Sequence, residues 1–97
     1  MIMTDELIEL KERVDFLDKQ LERMEIDFKG ALRTGEISKA KITMERLISE
    51  AQSTKEFTKT LLSKFKQECN DDKADLCLKL LGYIENIENV ILALKED

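Results

Sequence analysis

Apolar residues recur along this chain at alternating steps of three and four, the spacing that lines one face of an α-helix. Between Thr4 and Leu32 they fall at Leu7, Leu10, Val14, Leu17, Leu21, Met24, Phe28 and Ala31, as the inward positions of successive heptads. The pattern returns through Ile37, Ala40, Met44, Leu47, Ala51, Thr54, Thr58, Leu61 and Phe65, and again through Cys77, Leu80, Ile84, Ile87, Ile91 and Leu94. Two interruptions separate the runs. Arg33-Thr34-Gly35-Glu36 carries a glycine suited to a left-handed helix end, and Asn70-Asp71-Asp72 supplies turn and N-cap residues. The hydroxyl of Thr4, with Asp5 and Glu6 behind it, marks the first helix start. The pattern predicts three long helices, over about residues 4–33, 36–69 and 72–95, in one helical domain of residues 1–97. The expected fold class is all-α, an antiparallel three-helix bundle of coiled-coil-like helices, closed within one chain or completed by dimerisation.

The middle run is thin at Ala51, Thr54 and Thr58, and Ser53 with Glu56 stands at the capping-box interval that starts a fresh helix. The heptad phase crosses this point unbroken, which favours one continuous helix with a narrow waist. Small residues there let a neighbouring helix approach closely, or leave room for a bulky side chain such as Phe16 or Tyr83. The third run is the opposite. Leu76, Leu81, Tyr83 and Val90 flank its seam, and Leu78 and Leu92 lie further round, where a monomeric bundle presents polar side chains to water.

Composition narrows the class without changing the fold. With 42% apolar and 38% charged residues, three glycines and no proline, the chain lacks the turn residues that a sandwich or barrel needs. There is no histidine, which removes the commonest metal ligand and the usual neutral-pH proton shuttle. The net charge of −5 argues against nucleic-acid binding, which depends on neutralising phosphates. The three runs carry −3, +2 and −4, so the middle helix opposes both partners in sign. Met1 to Glu6 holds no signal-like segment, and the uncharged stretch Asn89 to Leu94 is far short of a bilayer span. A cytoplasmic protein with no membrane contact is expected. Cys69 and Cys77 form no C-x-x-C pair and are expected as reduced thiols, Cys77 as a small core residue.

Candidate chemistry rests on carboxylate pairs at i and i+3 that stand beside the expected seams, Asp15 with Asp18, Glu22 with Glu25, and Glu85 with Glu88. On facing helices such pairs hold Mg²⁺, whose hard preference suits carboxylate oxygen and water. In this they are similar to the Glu-x-x-Glu pairs of helical nucleotide pyrophosphohydrolases, although the basic or glycine-rich phosphate contacts of a nucleotide site are missing. The run Leu10-Lys11-Glu12-Arg13-Val14-Asp15-Phe16-Leu17-Asp18 resembles the first helix of the all-helical chorismate mutases over about fifteen residues. That resemblance implies a basic substrate contact at Lys11 and a later one at Lys39 or Lys41. The third helix contains no Gln, and the second lacks the family's Arg-Glu pair, so the likeness reduces to shared heptad grammar. A looser similarity, to the BAG co-chaperone domains, covers architecture alone, since the third helix offers only Lys73, Lys79 and Lys95 as cations and no Arg-Lys pair.

The function expected from these features is that of a non-enzymatic interaction module, an adaptor or chaperone-like protein. Its contact residues would be Leu78, Val90 and Leu92, joined by Ile8 and Ile26, apolar residues that the internal core does not need. The partner would be another protein or a second copy, with no cofactor, metal or catalytic residue. The alternative is a small all-helical metal-assisted enzyme acting on a nucleotide or similar substrate through Glu22, Glu25, Glu85 and Glu88.

Overall fold

The computed structural model describes residues 5–96. Three helices, α1 (Asp5–Thr34), α2 (Ile37–Gln67) and α3 (Asp71–Glu96), pack as an all-α three-helix bundle, with no strand among the described residues. The start marked by Thr4 lies outside the described residues. Each helix ends within two residues of its expected boundary, and the differences have local causes at the two corners.

The first corner is a simple left-handed stop. Gly35 adopts φ +81°, and its N–H donates to the Ala31 carbonyl at 2.8 Å, so one orphan carbonyl of α1 is satisfied where a Cβ would be strained. Glu36 then precedes α2 without any side-chain cap, and the first turn of α2 carries no acid to meet its exposed N–H groups. The second corner is tighter. The Cys69 N–H donates to Lys66 O at 3.1 Å and the Asn70 N–H to Phe65 O at 2.9 Å, the paired bonds of a Schellman motif. The left-handed position falls on Cys69, at φ 57°, so α2 stops at Gln67, short of the expected 69. Asn70 immediately caps α3: its Oδ1 accepts from the Lys73 N–H at 3.3 Å and its carbonyl from the Ala74 N–H at 3.0 Å. This brings the start of α3 forward to Asp71, with Asp71 and Asp72 both in the first turn.

The heptad stripes make the core. Leu7, Leu10, Val14, Leu17, Met24 and Phe28 are buried from α1, every inward position from Ala40 to Phe65 from α2, and Cys77, Ile84, Ile87 and Ile91 from α3. Leu21, Leu80 and Leu94 pack against this core half-buried. At the start of α3 burial shifts one position to Ala74, while Lys73 lies over the Phe65 ring, 5.5 Å from its centroid.

α2 runs unbroken through Ser53. Its waist tolerates burial because the threonine hydroxyls bond back to their own helix: Thr54 Oγ1 donates to Glu50 O at 2.9 Å, and Thr58 Oγ1 to Thr54 O at 2.7 Å. Phe16 does not fill the waist; it stays half-exposed above it.

Side-chain pairs fix the directions. Glu6 of α1 accepts from Lys64 of α2 at 2.7 Å, and seven residues on, the Arg13 guanidinium lies 4.4 Å from the centroid of Phe57, seven residues back. α1 and α2 are therefore antiparallel. Lys55 with Glu88 at 3.0 Å and Glu45 with Lys95 at 3.3 Å give the same sense for α2 and α3. The interhelix ion pairs among the described residues thus all join α2 to a neighbour, as the alternation of segment charge predicts. α1 and α3 run parallel and meet more sparsely than either meets α2. The bundle is long and flattened, 52 × 21 × 15 Å, with a radius of gyration of 15.6 Å. A compact chain of this length would give about 12.5 Å.

Candidate functional site

Four of the five expected contact residues lie on the surface. Ile8 is 43% exposed, Ile26 70%, Leu78 47% and Leu92 42%, whereas Val90 is half-buried. They do not gather in one place. Leu78 and Leu92 share the flank of α3 that turns outward beside α2, but fourteen residues, about 21 Å, separate them, and exposed Glu85 stands between. Val90 lies on the other flank, one heptad beyond Tyr83 and facing α1. Ile8 and Ile26 stand on α1, well apart. Leu32 and Ile42, one on each side of the first corner, are also exposed and lie outside the expected set. Their distance from the inward positions was the available signal.

The carboxylate pairs are dispersed as well. Glu88 is taken by Lys55, with only 13% and 20% of the two side chains exposed, and its second oxygen, Oε2, is buried without a hydrogen-bond partner. Glu85 points away into solvent. Glu22 and Glu25 stay on α1. Among the described residues no three carboxylates or thiols converge on a point where a metal ion would sit. The four glutamates of the enzyme alternative are therefore not assembled into a centre.

Several surface hollows remain, two of them lined in part by Glu12. One, of about 440 Å³, runs along the α1–α2 seam at the waist, beneath Phe16 and beside Glu9, Arg13, Leu17, Glu50 and Thr54. Its cation is already committed, because Arg13 pairs with Glu9 at 3.4 Å and lies over Phe57. The other, of about 350 Å³, lies on the α1–α3 side, lined by Lys11, Glu12, Val14, Asp15 and Leu80. Next to it is the bond that ties those two helices. Tyr83 Oη donates to Asp18 Oδ1 at 2.6 Å.

Electrostatics on this side follow from the bond. The carboxylate of Asp18, as hydrogen-bond acceptor, pushes the Tyr83 phenol above its ordinary value; burial and the further negative charges of Asp18, Glu22 and Asp15 add to it. Elsewhere, the bond to Glu6 raises Lys64, and burial raises the Cys77 thiol, which keeps it protonated and unreactive. The two thiols are free, Cys69 at its exposed corner and Cys77 in the core.

Comparison of the chain with protein-family models, curated proteins and solved structures finds no match. Among the described residues no helix is long and apolar enough to cross a membrane.

Proposed function

We propose that this chain is a non-enzymatic helical interaction module, an adaptor or chaperone-like protein, that recognises another protein through apolar surface left over on α3. The observation that carries the reading is the exposure of Leu78 and Leu92 on a helix whose inward stripe already supplies its share of the core. Large aliphatic side chains on the outer flank of a fully packed helix do nothing for the fold, and contact with a second molecule is where their burial becomes favourable. The reading includes a cytoplasmic location, supported by two cysteines that sit as free thiols.

The test is a double variant, Leu78→Gln with Leu92→Gln. Both positions are exposed, so its thermal midpoint should stay within a few degrees of the parent. Proteins retained by the immobilised parent chain, or its own association seen by light scattering, should be lost in the variant. Retention that the double variant leaves intact, or a parent chain that stays monomeric and retains nothing, overturns the reading.

A further inference from the structure

We propose that the cleft between α1 and α3 docks a basic amphipathic helix of a partner protein, with the partner's apolar stripe against α3 and its cations against α1. The proposal rests on the interaction-module reading but places the contact on a different flank from Leu78 and Leu92. The Tyr83–Asp18 bond defines which flanks face each other. On α3, Leu76 and Val90 stand one heptad before and after Tyr83, and Leu80 lies beside them; all three are half-buried. That bank is apolar. On α1, Asp15, Glu22 and Glu25 stand three, four and seven residues from Asp18 and share its flank, with Lys11 at the far end. That bank is acidic.

Among the described ion pairs none joins an acid of the α1 bank to a cation on another helix. Glu6, Glu45 and Glu88 each meet a lysine on another helix. Asp15 meets only Lys19 of its own helix, at 4.0 Å with both side chains in solvent, and Asp18 meets a phenol. Asp18 reaches Tyr83 itself, and Asp15 lines one hollow together with Leu80, so the acidic and apolar banks border the same space. The space is there to fill, since α1 and α3 are the sparsest pair and the hollow beside Leu80 opens on this side. A helix seated in it would complete a four-helix arrangement.

Charge complementarity decides the occupant. A second copy of this chain offers a net −3 from residues 1–34 and −4 from residues 70–97, both repelled by the α1 bank. The positive middle helix has its apolar stripe, Ala40 to Phe65, already buried against its two neighbours, so its exposed lysines come without a free aliphatic stripe beside them. A helix of another protein, with lysine or arginine beside a stripe of leucine or isoleucine, meets an acid where it carries a cation and an apolar bank where it carries an aliphatic.

The experiment uses the full chain, labelled with ¹⁵N, and a synthetic peptide of about three heptads with leucine at the inward positions, lysine on one adjoining flank and alanine elsewhere. A second peptide replaces every lysine with glutamate. The lysine peptide should shift the amides of residues 15–25 and 76–90. The variant Asp15→Asn, Glu22→Gln, Glu25→Gln, which leaves Asp18 and Tyr83 in place, should bind it about tenfold more weakly. Equal binding of the glutamate peptide, undiminished binding by the triple variant, or no shift with either peptide overturns the proposal, as does self-association that the triple variant strengthens. Shifts confined to the flank of Leu78 and Leu92 also overturn it while leaving the interaction-module reading standing. That reading falls separately, by the double glutamine variant.

Discussion

Tyr83 is the chain's only tyrosine, so its ionisation can be followed by ultraviolet absorbance with no overlapping phenol. As a donor to Asp18 it must keep its proton. Its folded pKa lies above the ordinary value near 10, so its contribution to stability is complete below that pH and is lost as pH rises through the higher folded value. Lys64 acts in the same direction, because Glu6 holds its protonated form and the benefit is lost as pH rises past lysine's ordinary 10.5. The expected outcome is a phenol that titrates later than free tyrosine, and a denaturation midpoint that falls as the solution becomes strongly alkaline. Asp18→Asn should return the absorbance titration toward its ordinary position. This bond was not legible in the chain, because both residues sit just outside the inward stripe. Their meeting depends on the lateral alignment of two parallel helices that are not consecutive, and no local pattern encodes it.

At the scale of the helix, α2 shows how a weak stretch survives in the middle of a bundle. Ala51, Thr54 and Thr58 are buried, and the two hydroxyls cost little because each returns its proton to a carbonyl of the preceding turn. Thr58 has no exposed surface. Replacing it with valine, which keeps the shape and drops the hydroxyl, should change stability by less than about 1 kcal/mol. Leucine at the same position should cost about 1–3 kcal/mol, since the neighbouring helices have closed around a small side chain. Chemical denaturation of the two variants distinguishes these outcomes. The stripes of all three helices were legible from spacing alone, since an inward position is recognised by its neighbours at three and four. The ends were less so. Asn70 was legible as part of a turn, but its double service, and the left-handed turn at Cys69, depend on how two helices are joined and not on the character of either.

For the whole molecule, α2 and α3 form the firmer unit. They share the tight corner and the mostly buried Lys55–Glu88 pair, whereas α1 is attached through Gly35 and an uncapped helix start. Amides in α1 should therefore exchange with solvent at least about tenfold faster than those at the centre of α2, measured by native-state hydrogen exchange. Equal protection in all three helices would show that the bundle opens only as a whole. The overall class was legible because heptads and two breaks leave few alternatives, but the flattened cross-section was not, since spacing says which face turns inward and not how closely the outer two helices approach. The same difference between the corners governs how the chain tolerates lengthening. Where one asparagine closes one rod and opens the next, there is no slack: a single inserted residue would turn α3 by about 100° and swing its aliphatic ridge away from its neighbour. Near Gly35 the strand of chain is slacker, and insertions should be absorbed there first.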